Sequence, residues 1–70
     1  MKKEVILNPV ELEYKVVETS DVTDITLEEL INKYVREGWS FENIQFAMRE
    51  SSKRPAMAFI LFTRRIRDKR

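Results

Sequence analysis

Ala56-Met57-Ala58-Phe59-Ile60-Leu61-Phe62 is apolar at every position. A strand with one wet face alternates apolar and polar residues, so an unbroken run of this length bounded by turn residues reads as a strand buried on both faces. The turn boundary is Ser51-Ser52-Lys53-Arg54-Pro55, rich in residues that favour turns. On its far side Ile44, Phe46 and Met48 alternate with Asn43, Gln45 and Arg49, the period of two of a half-buried strand. The two segments form a terminal hairpin.

Upstream of the hairpin the period changes. Leu27, Leu30, Ile31, Tyr34 and Val35 fall at i, i+3, i+4, i+7 and i+8 and line one face of a helix from Leu27 to about Glu37. Thr26 and Glu29 match a capping box, with Ile25 placed to staple onto Leu30. Gly38, the single glycine of the chain, suits the left-handed position just past the helix, with Trp39 folding back on the last turn. Before the helix, Leu12, Tyr14 and Val16 alternate with Glu11, Glu13 and Lys15 and predict another half-buried strand. Val5-Ile6-Leu7, cut off by Asn8-Pro9, reads as a short extra strand or an N-terminal arm.

The result is one small α+β domain over residues 1–70, order β-α-β-β, with one helix on a three-stranded antiparallel sheet. Residues 1–10 form the arm and residues 64–70 a basic C-terminal tail. The doubly apolar strand belongs in the centre, giving the sheet order first, third, second. The expected core is Leu12, Tyr14, Val16, Leu27, Leu30, Ile31, Tyr34, Trp39, Ile44, Phe46 and alternate residues of Ala56 to Phe62. A single helix shields one face of a sheet. The central strand therefore presents Met57, Phe59 and Leu61, or Ile60 and Phe62 if the faces are reversed, to a second cover: another copy of the chain or the Val5-Ile6-Leu7 arm. Wet apolar surface of that extent marks an interaction site. A homodimer or higher oligomer with an unidentified protein partner is the leading expectation.

The residues resemble a family of very short bacterial and phage domains of unknown function. Tyr14-Lys15-Val16-Val17, Leu27-Glu28-Glu29-Leu30 with Tyr34, Glu37-Gly38-Trp39 and a closing apolar strand ending in Thr63-Arg64-Arg65 carry the likeness over Glu13 to Arg65. It implies the same fold and no catalytic residue. The longer basic end departs from the family pattern.

Composition narrows the chemistry. The chain has no cysteine and no histidine, which removes disulfides, thiolates, imidazole bases and the usual zinc and haem ligands. Ser51-Ser52-Lys53 sits on a turn that cannot bury a lysine base, and Glu11 with Glu13 and Glu28 with Glu29 have structural explanations on a strand face and in a first helical turn. Glu18 to Asp24 is oxygen-rich but lacks calcium-loop spacing and reads as a capping loop. No catalytic residue, metal or cofactor is assigned, and the expectation is a protein that is not an enzyme. No apolar run approaches a membrane span and the start turns polar too soon for a secretory signal, so the expected location is cytoplasmic, without membrane association.

The net charge of +1 hides a polarised chain. Glu4 to Glu50 holds eleven acids against four bases, or −7, while Ser51 to Arg70 holds seven bases against one acid, or +6, and Lys2 with Lys3 supplies the remaining +2. Such asymmetry points to a solubilising end or to a polyanionic partner. The alternative function is accordingly nucleic-acid binding through the phosphate backbone, using Lys53 and Arg54 at the hairpin tip and Arg64, Arg65, Arg67, Lys69 and Arg70 in the tail.

Overall fold

A computed structural model describes residues 11–50 and 53–66. The elements follow the expected order: β1 (Leu12–Thr19), α1 (Asp24–Arg36), β2 (Ser40–Met48) and β3 (Pro55–Arg65). The sheet is three-stranded with order β1-β3-β2, and both pairings are antiparallel. The uninterrupted apolar strand is thus central, where both its edges are hydrogen-bonded. The Val5-Ile6-Leu7 segment lies outside the described residues.

Helix α1 ends as the glycine indicates. Gly38 has φ 101°, a region that L-residues with a Cβ rarely adopt. Its N–H donates to Val35 O at 3.0 Å and the Trp39 N–H to Tyr34 O at 3.0 Å, the paired bonds of a Schellman motif. The start of the helix differs from the sequence expectation. Thr23, not Thr26, is the N-cap: its side-chain oxygen accepts from the Thr26 N–H at 3.2 Å, and Asp24 adds an acid to the first turn. Thr26 instead donates through Oγ1 to Asp21 Oδ2 at 2.6 Å, and Ile25 lies inside the helix, 64% exposed, so it forms no staple at the entry. The earlier cap wins because the Asp21 carboxylate gives the Thr26 hydroxyl a partner, leaving Thr23 to satisfy the open backbone donor.

Register assigns the two sheet faces, since directly paired residues share a face. Beneath the helix lie Ala58, Ile60, Phe62 and Arg64 of β3. They are flanked by Thr19, Val17, Lys15 and Glu13 of β1 and by Phe46, Ile44 and Phe41 of β2. Ile60, Phe62 and Trp39 form the core cluster, with Val17, Leu27, Leu30, Ile31, Tyr34 and Ile44 packed against it. Phe62 contacts the rings of Tyr34 at 5.3 Å and Phe41 at 6.3 Å between centroids. Phe41 and Ile44 can both face the helix despite their odd and even numbers because the register shifts between Phe41 and Asn43. A bulge there gives β2 one extra residue, Glu42.

The expected core contains one error of consequence. Leu12, Tyr14 and Val16 face away from the helix; Tyr14 is 65% and Val16 63% exposed. Their place on the helix side is taken by Glu13, Lys15 and Val17. Phe46 is on the expected side but remains about half exposed.

The reason lies around Trp39. Lys15 Nζ stands 5.1 Å from the Trp39 ring centroid and 5.4 Å from that of Tyr34, while the Arg64 guanidinium carbon is 4.1 Å from the Trp39 ring. Arg64 also donates from Nε and Nη2 to Glu13 Oε1, at 2.9 and 2.7 Å. These two long side chains place their cationic groups over the aromatic rings, where the ring faces attract them. Polar letters therefore do the covering that a period-two reading assigns to apolar ones.

Candidate interaction surface

The face turned away from α1 carries the opposite set. Its rows, read from register, are Leu12 with Arg65, then Tyr14 with Thr63 and Ser40. Next come Val16 with Leu61 and Asn43, Glu18 with Phe59 and Gln45, and finally Met57 with Ala47. Of the sequence candidates, Met57, Phe59 and Leu61 lie here, each half-buried. Ile60 and Phe62 do not: both are 0% exposed under the helix and are withdrawn as interface residues. The open face therefore belongs to the odd-numbered set.

Leu12, Tyr14 and Val16 were legible as an apolar stripe but not as members of this surface. With them, β1 and β3 offer a contiguous band of six apolar side chains, whereas β2 offers Ser40, Asn43 and Gln45. Among the described residues no element lies over this face. Thr63, 7% exposed, is the buried polar residue in its middle, and its hydroxyl donates to Glu42 Oε2 at 2.6 Å. The bulge thus supplies the acceptor that a buried hydroxyl requires.

The basic candidates do not converge. Lys53 and Arg54 precede β3 and Arg64 and Arg65 close it, so the groups stand roughly 30 Å apart along an extended strand. Arg64 is committed to Glu13 and Trp39 on the helix side, whereas Arg65 is exposed on the open face opposite Leu12. Arg67, Lys69 and Arg70 lie outside the described residues.

The Glu18 to Asp24 segment works as a capping loop: Thr19 Oγ1 accepts from the Asp21 N–H at 3.0 Å and Asp21 accepts from Thr26. A shallow cleft between this loop and the start of β3 is lined by Ser20, Asp21, Val22, Thr23, Arg54 and Pro55. Among the described residues no group of three or more His, Cys, Asp or Glu is placed to hold a metal ion, and no helix is long and apolar enough to cross a membrane. Comparison of the chain with protein-family models, with curated proteins and with solved structures gives no match.

Proposed function

We propose that this chain is a small non-enzymatic interaction module of the cytoplasm that associates with itself through the open face of its sheet and, in that form, docks a protein partner. The observation that carries the reading is the band of Leu12, Tyr14, Val16, Met57, Phe59 and Leu61 on a face that α1 does not reach. Two rows of apolar residues aligned on neighbouring strands are what a second layer packs against, and wet apolar surface of this kind is otherwise selected against in a soluble chain. Nucleic-acid binding draws less support, because Arg64 is engaged internally and the other described basic candidates, Lys53 and Arg54 on one side and Arg65 on the other, stand at opposite ends of β3.

Sedimentation at high micromolar concentration tests the reading. The parent chain is expected to sediment above its 8.4 kDa monomer mass, and Phe59→Glu to sediment as a monomer that keeps its helical circular dichroism. A parent chain that is monomeric throughout, with Val5 to Leu7 shown by nuclear Overhauser contacts to lie on the sheet, overturns it.

A further inference from the structure

The charges on the open face are arranged as well as its apolar residues. Arg65 sits beside Leu12 at one end of the apolar band and Glu18 beside Phe59 towards the other, one row before Met57. Both are exposed, and among the described residues neither makes an ion pair. Six residues of strand separate their rows, roughly 20 Å, so they cannot meet within one chain. Glu42, the other acid on this side, already accepts from Thr63. The face is therefore apolar in the middle, positive at one end and negative at the other, and it is also lopsided across the strands: apolar on β1 and β3, polar on β2.

Those two asymmetries select one way of covering the face with a second copy, an inference that rests on the self-association proposed above. A two-fold axis in the plane of the sheet and parallel to the strands would lay β1 of one copy over the partner's β2, setting Tyr14 and Val16 against Ser40 and Asn43. It would also set Arg65 against the partner's Arg65. An axis in the same plane but running across the strands does the reverse. It lays β1 over the partner's β1 and β3 over the partner's β3, so that Tyr14 covers the partner's Val16 with Leu61 beside them, and it brings the Arg65 row of each face onto the partner's row of Phe59 and Glu18.

We propose that two copies pair face to face about this second axis, with their strands antiparallel and with Arg65 of each copy meeting the partner's Glu18 at either end of a shared apolar centre formed by Tyr14, Val16 and Leu61. Stacked sheets lie about 10 Å apart, a gap that an arginine side chain spans. A two-fold interface is self-complementary, so each contact occurs twice, and an ion pair repeated at both ends sets the orientation more than it sets the affinity. Phe59 lies in the same row as Glu18, so the arriving guanidinium also finds an aromatic ring beside its carboxylate.

Charge reversal tests the orientation separately from the association. Arg65→Glu and Glu18→Arg each replace two attractive contacts by two repulsive ones. Each is expected to weaken self-association measured by sedimentation by about tenfold or more, since an exposed pair contributes only modestly and is counted twice with its sign changed. Mixing the two variants restores attraction at both ends of a heterodimer, so the mixture, and likewise the double variant R65E/E18R, is expected to return to within a few-fold of the parent dissociation constant. Both residues are exposed, and unchanged circular dichroism verifies that each variant folds. If the parent dimerises and Phe59→Glu abolishes it, but the single reversals have no effect, the antiparallel pairing is overturned while self-association stands, because an axis along the strands already juxtaposes like charges and reversal leaves them like. Weakening by the single variants without rescue in the mixture overturns it as well. A parent chain that is monomeric removes both proposals.

Discussion

Phe59 and Phe62 are identical residues three positions apart on one strand, and the assignment of faces makes their replacement by leucine unequal. Phe62 is 0% exposed and its ring lies against Tyr34 and Phe41. Full truncation of a phenylalanine at such a site costs about 3–5 kcal/mol. At about 0.05–0.15 kcal/mol per residue, a chain of this length has roughly 4–10 kcal/mol in all, so Phe62→Ala stands at the edge of unfolding. Phe62→Leu retains most of the volume and loses the two ring contacts, each about 0.5–1.5 kcal/mol, for an expected loss of about 1–3 kcal/mol. With a urea slope of about 1 kcal/mol/M for a small domain, the midpoint should fall by roughly 1–3 M. Trp39, the single tryptophan of the chain and 8% exposed within the core cluster, reports the transition by fluorescence. Phe59→Leu, measured in parallel at concentrations low enough to keep the chain monomeric, should move the midpoint by less than about 0.5 M, because surface-facing changes away from specific contacts cost within about 0.5 kcal/mol. Equal losses from the two variants, or a silent Phe62→Leu, would refute the placement of even-numbered β3 residues under the helix.

Gly38→Ala should destabilise by about 1 kcal/mol through its backbone alone, since φ is 101° while an added Cβ meets nothing within 4 Å; Gly38→Asn should cost less, and thermal melts of the two variants check the order. Thr23→Ala should cost about 1 kcal/mol in urea unfolding, whereas Thr26→Ser, which keeps the hydroxyl given to Asp21, should be close to neutral. In a titration against labelled duplex DNA over a range of salt, any affinity should lose up to about 2 from its log–log salt slope when residues 68–70 are deleted. Arg64→Ala should leave that slope unchanged because Arg64 already holds Glu13; a slope that falls with Arg64→Ala contradicts the engagement seen here.

Much of the architecture is legible in the sequence. The unbroken apolar run of Ala56 to Phe62 has one consistent place, the centre of a sheet, and from it the order β1-β3-β2 and two antiparallel neighbours follow. The periodicity from Leu27 to Val35 specifies a helix, and a lone glycine followed by tryptophan specifies its end, because few other residues adopt a positive φ cheaply. Local chemistry determines such features, so local sequence reveals them. The start of the helix escaped because two threonines three residues apart offer equivalent caps, and the choice between Thr23 and Thr26 was made by Asp21, through a side-chain bond across the loop. The bulge at Glu42 escaped because it is defined by pairing with β3 and answers the buried hydroxyl of Thr63.

The sides of the sheet are the deeper case. Alternation of Leu12, Tyr14 and Val16 with Glu13 and Lys15 shows that β1 has two unlike faces, but a period of two is symmetric under exchange of faces and carries no label for the one that meets the helix. Only the tertiary structure decided it. Trp39, folded back by the Gly38 turn, presents an aromatic face that the cationic groups of Lys15 and Arg64 cover, with Glu13 neutralising Arg64. The apolar stripe of β1 is thereby released to the opposite side, where it joins Met57, Phe59 and Leu61 in the surface proposed to mediate self-association.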